Sequence, residues 1–164
     1  MNIKLEDFHS TARLSLGKDS GYFPVVTTTN GADILIVYRA GAGHMGISGR
    51  LEAIRSEDEG SSWSEPVVVA DSDLDDRNPS LGVTEDGVIV VAYHVNGNYK
   101  GRKEYDPRLK NLHTYVTRSK DGGKSWETPY KLNLDSFYGF SPYGQMLTLG
   151  DAPSFYQYMD QPLG

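Results

Sequence analysis

Two arginines stand where a positive charge could meet a ligand. Arg39 ends the apolar run Ile34 to Tyr38 and opens the Gly-rich loop Ala40-Gly41-Ala42-Gly43-His44, and Arg77 precedes Asn78-Pro79 at the head of another strand-like run. A guanidinium holds its charge at any ordinary pH and presents a planar fork of donors, so both positions suit an anionic partner. Two histidines accompany them: His44 in the same Gly-rich loop, and His94 at the end of the apolar run Val88 to Val95. Each position also has a plainer reading. Arg77 would form a loop clasp if it paired with Asp75 or Asp76, Arg39 would be a solvated strand end, and the histidines would be polar rim residues. Neither histidine has the close His spacing of a metal site, and with no cysteine in the chain no thiolate site exists, so no metal or cofactor is expected.

A second set of acids invites a different chemistry. Asp58 and Asp121 occupy the same place in two copies of one pattern, S-x-D-x-G-x-x-W: Ser56, Asp58, Gly60 and Trp63, then Ser119, Asp121, Gly123 and Trp126. Paired carboxylates can cleave glycosides. Their setting argues for a turn instead, because each copy follows a strand-like run (Leu51 to Arg55, Thr114 to Arg118) and precedes another (Pro66 to Val69, Pro129 to Leu132). In a turn the Asp can accept hydrogen bonds from backbone N–H groups, the Gly permits positive φ, and the Trp covers the hairpin with an apolar ring. Both tryptophans are therefore expected to be largely buried against their own hairpins.

The elements that position these residues repeat. Adding 63 to Arg55, Asp58, Trp63, Pro66, Pro79 and Gly87 gives Arg118, Asp121, Trp126, Pro129, Pro142 and Gly150, all matching in type. Pro24 and Tyr38 lie fourteen apart, as do Pro79 and Tyr93, so a partial copy opens the chain. Each unit reads as an inner strand beginning near Pro, an apolar second strand, a third ending in the S-x-D-x-G-x-x-W turn, and an outer fourth. Units starting near residues 22, 77 and 140 follow. Four antiparallel strands of this kind make a propeller blade, and about two and a half are present, which is too few to close a ring of four to eight. After Gly150-Asp151 the sequence Ala152-Pro153-Ser154-Phe155-Tyr156-Gln157 departs from the expected apolar strand. Residues 1–164 thus read as the N-terminal part of a longer all-β propeller, truncated or altered in frame near residue 151, with a small complete β domain as the alternative. A weak alternation at Ala12, Leu14 and Leu16 suggests one more strand.

Both turn motifs, at residues 56–63 and 119–126, resemble the Asp box, or BNR repeat, of the sialidase superfamily, whose blades form a six-bladed β-propeller. Arg77-Asn78-Pro79 resembles the R-x-P motif that opens an inner strand in sialidases, where the Arg belongs to a three-arginine clamp on the substrate carboxylate. The equivalent positions in the other units hold Tyr22 and Phe140. Tyr38 to His44 taken with Asp75 to Pro79 resembles a pair of motifs in bacterial sialidase-like propellers. The resemblance implies an Asp acid/base on the loop after the second strand of an early blade, and a Tyr nucleophile with a Glu partner from later blades. Asp76, Asp106 and His44 are the candidates for catalysis, with Glu104 beside Asp106 on the polar stretch Asn96 to Asn111; Arg39, Arg77 and His94 are the candidates for binding. Blade geometry places these on the face opposite the Asp boxes, which are structural.

Composition sets the remaining bounds. In 164 residues, 38% hydrophobic with eighteen Gly and eight Pro, short strands joined by turns are favoured and disorder is not. A net charge of −6 argues against a nucleic-acid surface. Met1 to Ser10 lacks a signal-peptide core and no apolar run approaches membrane-spanning length, so a cytoplasmic chain without membrane contact is expected. The expected partner is carbohydrate, an acidic glycan in particular. Two functions fit: an exo-glycoside hydrolase of sialidase type, incomplete in this chain, or a non-catalytic glycan-binding or structural Asp-box propeller.

Overall fold

The computed structural model describes residues 21–29, 31–133, 139–148 and 155–156. Two antiparallel sheets carry the fold. The first has four strands in sequential order, β1 (Tyr22–Thr28), β2 (Ile34–Ala40), β3 (Arg50–Ser56) and β4 (Val67–Ala70). The second is built from β5 (Asp75–Val83), β6 (Ile89–Asn96), β9 (Leu112–Ser119) and β10 (Tyr130–Lys131), hydrogen-bonded in that order. Between β6 and β9 lie a small hairpin, β7 (Tyr99–Lys100) with β8 (Glu104–Tyr105), and a 3₁₀ turn at Pro107–Leu109. The stretch Asn96 to Asn111, expected as an irregular polar loop, is therefore partly ordered. The expected strand near Ala12 to Leu16 and the turn at Gly150-Asp151 lie outside the described residues.

The sheets pack through residues that alternate along the central strands, as the two-residue period of a strand requires. Leu35 and Val37 from β2 meet Val91, Tyr93 and Val95 from β6, with Leu51 and Leu81 also fully buried. At about 1.5–3 kcal/mol for each fully buried aliphatic side chain, this interface is the main source of stability. The alternate residues of each sheet form two smaller clusters, Tyr38, Ala40 and Ile54 on the first and Val90, Ala92 and Val116 on the second.

The two Asp-box turns share one hydrogen-bond scheme. The Ser56 hydroxyl donates to Asp58 (2.8 Å) and accepts from Gly60 N–H (2.8 Å), while Asp58 also accepts from the Ser62 N–H (2.7 Å) and hydroxyl (2.6 Å). Ser119, Asp121, Gly123 and Ser125 repeat it with distances of 2.8, 2.8, 2.9 and 2.5 Å. Gly123 has φ +87°, and a Cβ there would come within 2.9 Å of Leu35, so glycine is required twice over. The tryptophans differ from expectation: both are only half-buried. Trp63 packs against the outer cluster of the first sheet and donates to Gly60 C=O at 3.1 Å. Trp126 packs against the core between the sheets, and its indole N–H has no partner among the described residues.

The third unit also departs from expectation. Instead of opening a sheet of its own, β11 (Gly144–Gln145) adds to the second sheet in parallel with β5, Gly144 opposite Ser80 and Gln145 opposite Leu81. The inner edge of β5 offers unpaired backbone groups, and β11 satisfies some of them. A last pair, β12 (Leu147–Thr148) with β13 (Phe155–Tyr156), forms a two-stranded sheet of its own beside β5. Blade-like sheets are present and the ring is open.

Candidate functional site

Each inner strand starts with a bulge at an X-Pro step. The pairing register shifts between Tyr22 and Val25 in β1 and between Arg77 and Ser80 in β5. The residue before each proline, Phe23 or Asn78, takes a left-handed φ of 53° or 52°. Asn tolerates that conformation and Phe does so rarely, which makes Phe23 a strained position. Its ring is held from several sides, by His44 (5.6 Å between ring centroids), Tyr143 (6.0 Å) and the Arg77 guanidinium (5.3 Å). A bulge re-aims the side chain beside it. Arg77, flanking the second bulge, thereby sits over the start of the first inner strand.

Asp75 is the hub of this end of the molecule. It is fully buried and accepts from Arg39 Nε (3.0 Å) and Nη2 (2.7 Å), from Arg77 Nη1 (3.3 Å) and from the Tyr99 hydroxyl (2.9 Å). Arg39 was expected to face a cleft from a strand end. It is instead fully buried, because its remaining donors close the Gly-rich loop on the carbonyls of Ala42 (3.3 Å), Gly43 and Gly46 (3.1 Å). Gly49 leaves room for this pair: a Cβ there would lie 2.2 Å from the Asp75 carboxylate and 2.5 Å from Arg39. Its carbonyl also accepts from Asp76 N–H at 2.9 Å, joining the first sheet to the second. Arg77 forms the clasp with Asp75 that its sequence neighbours permit, and it lies close to Met45 Sδ (3.0 Å). Among the described residues its hydrogen bonds run through Nη1 alone.

The proton-transfer candidates are dispersed. Asp76 points to the other face of β5, is fully buried and accepts from Ser72 N–H (2.6 Å) and hydroxyl (2.8 Å). Burial raises its pKa to about 6 against the pull of those two hydrogen bonds. His94 pairs across the sheet with Arg77 and is 5% exposed; burial, then the Arg77 charge, lowers its pKa to about 4, so it is neutral near pH 7. Its Nδ1 has no partner among the described residues. Asp106 is held by Arg108 (2.8 and 2.9 Å) and Lys100 (2.6 Å), and these bonds, Arg108 first, keep it well below the usual carboxylate range. It caps the 3₁₀ turn and is a fixed anion, not a proton donor at neutral pH. Glu104 is exposed on β8. His44 is exposed, 6.2 Å from Tyr22 and 5.6 Å from Phe23 between ring centroids. The structure thus gathers Arg39, Arg77 and His94 around Asp75 and leaves Asp106 outside.

The Asp boxes lie at the other end. Ser56 is opposite Ile34, the first residue of β2, whereas Arg39 is near the last; Ser119 is opposite Ile89, and His94 is five residues further along β6. Hydrogen bonds, from Ser62 and Ser125 foremost, lower the pKa of Asp58 and bring that of Asp121 to about 2. They are ionised turn acceptors. Among the described residues no group of three or more His, Asp or Glu could hold a metal ion, and no helix is long and apolar enough to cross a membrane. The residues that sequence reasoning underweighted are Tyr99 and Gly49, which complete the Asp75 hub. Burial and then the bond to Asp75 raise the Tyr99 pKa to about 12, so it remains a phenol.

Comparison with known structures assigns the fold. A protein of unknown function from Dyadobacter fermentans superposes with a TM-score of 0.59 at 21% identity, over 78% of this chain and 43% of that one. A Hadza microbial sialidase superposes at 0.65 and 18% identity, over 80% of this chain and 30% of its own. The NanB sialidase of Streptococcus pneumoniae gives 0.62 at 13% identity, over 82% and 40%. The chain therefore shares the blade architecture of sialidase-fold proteins and spans less than half the length of these matches. By sequence, no protein-family model and no curated protein matches it.

Proposed function

We propose that residues 1–164 are part of a sialidase-type β-propeller that acts on an acidic sugar as an exo-glycoside hydrolase once the remaining blades complete the ring. The observation that carries this reading is the convergence of Arg39, Arg77 and His94 on one end of sialidase-like blades, opposite the Asp-box turns. Within that site Arg77 is the clamp for the sugar carboxylate: its hydrogen bonds here use Nη1, and its remaining donors, buried over the Phe23 ring, would have to be uncovered for the ligand. Arg39 acts one step back, fixing Asp75, which in turn orients Arg77. Asp76, with its pKa near 6, has the proton affinity of a general acid, but it is fully buried beside Ser72 and reaches no ligand in this arrangement. No cofactor enters this chemistry.

A second reading, a non-catalytic glycan-binding propeller, is favoured by one specific feature: Asp75 already pairs with both arginines and Asp76 has no exposed surface. One experiment separates the two. A propeller completed with its downstream blades should release an acidic sugar from an aryl glycoside, and Arg77→Lys should lower kcat/KM about tenfold or more, because an ammonium cannot reproduce the fork. Sialoside binding without turnover would select the second reading. Turnover unaffected by Arg77→Lys would reject the clamp.

A further inference from the structure

The two X-Pro bulges put different residues into one backbone conformation. Asn78 at φ 52° suits it, because Asn populates left-handed φ readily, and its side chain is tied down by a bond from Nδ2 to Ser141 Oγ (2.5 Å). Phe23 at φ 53° does not suit it. A residue held in such a conformation persists where its surroundings over-determine it, so the contacts of the Phe23 ring carry the arrangement. Those contacts come from all three units of the chain. Tyr22 (6.5 Å between ring centroids) lies beside it in β1 and His44 (5.6 Å) comes from the Gly-rich loop; the Arg77 guanidinium (5.3 Å from the ring centroid) comes from β5, and Tyr143 (6.0 Å, edge-on) precedes β11.

The ring covers the arginine read above as the carboxylate clamp. Arg77 is 7% exposed, although the other neighbours of the ring and of the guanidinium lie at the surface: Tyr22 and Met45 are each 39% exposed, Tyr143 is 51% exposed, and His44 is exposed as well. The ring, itself half-buried, touches both the surface residues and the guanidinium. A guanidinium on an aromatic face keeps its charge, but that contact is weaker than the bidentate, charge-assisted pair a carboxylate forms. Displacing the ring also frees Phe23 to leave its left-handed φ. Gly21, two residues earlier at φ +94° with open space where a Cβ would stand, lets the chain follow.

We propose that Phe23 gates Arg77: in the closed state its ring lies on the guanidinium, and an incoming carboxylate binds the state in which the ring has swung away. The inference rests on Arg77 being the clamp. Affinity for the carboxylate is then reduced in proportion to the fraction of molecules that are open. With the open state at about 10% of the population or less, the usual range for a minor conformer, removing the ring should raise affinity about tenfold or more. Tyr143 makes the gate sensitive to the third unit, since it holds the ring edge-on from the residue before β11, the strand that pairs with β5.

Phenylglyoxal, which modifies accessible arginine side chains, tests the cover without any sugar. In the 164-residue chain, peptide mass spectrometry should show Arg77 reacting about tenfold faster in Phe23→Asn than in the wild type, since Asn keeps the backbone conformation that Asn78 adopts and removes the ring. Arg39, fully buried, is the internal reference and should stay unreactive in both. If Arg39 also reacts in Phe23→Asn, that variant has unfolded and Tyr143→Ala decides: it removes one support of the ring from a half-exposed position, and Arg77 should react severalfold faster with Arg39 still silent. In whichever variant leaves Arg39 silent, an Arg77 rate equal to that of the wild type overturns the gate. In the propeller completed with its downstream blades, N-acetylneuraminic acid should protect Arg77 at about tenfold lower concentration in Phe23→Asn than in the wild type. Faster modification with no protection in either protein keeps Phe23 as the cover of Arg77 and rejects the carboxylate clamp, whereas equal protecting concentrations overturn the gate even if the clamp stands.

Discussion

Replacing Asp75 by Asn is the sharpest test of how this end of the protein is held. The substitution keeps the shape of the side chain, removes its charge and exchanges one acceptor oxygen for an amide donor. Asp75 takes four hydrogen bonds at 2.7 to 3.3 Å from Arg39, Arg77 and Tyr99, and Asp75 and Arg39 are both fully buried. At separations near 3 Å and an effective dielectric of about 20, each charge pair is attractive by about 5 kcal/mol before desolvation is counted. Desolvation offsets much of that attraction while the pair is intact. Once the carboxylate is gone, two guanidinium groups remain in a site that water does not reach, and a net loss of about 3–5 kcal/mol is expected. Urea denaturation at fixed protein concentration, with the m-value compared between variants, measures it. Asp75→Glu should not restore stability, because the extra methylene has no room beside Gly49. A loss below about 1 kcal/mol for Asp75→Asn at unchanged m-value would refute the view that Asp75 fixes the arginines.

Other outcomes follow from the same coordinates. Gly49→Ala places a methyl group 2.2 Å from the Asp75 carboxylate, so thermal unfolding should show a loss of about 1–3 kcal/mol even though Gly49 itself takes part in no ion pair. Trp63→Ala and Trp126→Ala should each cost about 1–3 kcal/mol by denaturant titration, less than for a fully buried tryptophan, since both rings are half-buried. Stability against pH should expose two opposing groups. The raised pKa of Asp76, about 6, favours the fold while the acid is protonated, a contribution lost as pH rises from about 4 to 6; the lowered pKa of His94, about 4, contributes stability that is present above about 6.5 and lost as pH falls to 4. Asp76→Asn should therefore give stability that climbs from pH 4 to 6, and His94→Gln stability that declines over the same range; parallel profiles in the two variants would show that these groups do not titrate as their surroundings require.

Much of the fold was legible because the sequence repeats it. The offset of 63 aligns the two Asp boxes, and the spacing of Pro24 to Tyr38 recurs in Pro79 to Tyr93, so the order of strands and the location of the turns could be written down before any coordinates. The hub was harder to see. Asp75 and Asp76 precede the strand that Arg77 opens in the sequence, where direction is arbitrary; inside β5 the two-residue period puts Asp75 and Arg77 on one face and Asp76 on the other. The partner of Asp75 on the first sheet, Arg39, is 36 residues away, and only the packing of the sheets brings them together. Asp106 misled for a related reason. Its position after the second strand matched the family pattern, but Lys100 and Arg108, both local neighbours, claim its carboxylate first.

Two identical motifs show where local sequence stops deciding. Ser56 to Trp63 and Ser119 to Trp126 build the same turn, bond for bond, because every partner in the turn lies within the motif itself. The tryptophans escape that rule. Trp63 looks onto a sheet face with no other sheet beyond it among the described residues, and its indole closes on the Gly60 carbonyl; Trp126 looks onto a neighbouring sheet, packs into the core between the two, and its N–H has no partner among the described residues. The difference is set by whether another blade lies next to the motif. If a further blade of a longer chain seats on the first sheet, Trp63 should come to resemble Trp126. Its fluorescence is then a local reporter of that contact: in a Trp126→Phe background, where Trp63 is the one tryptophan left in these 164 residues, a blue shift on adding separately expressed, tryptophan-free downstream blades would place the new contact on that face, and an unchanged spectrum in the resulting complex would place it elsewhere.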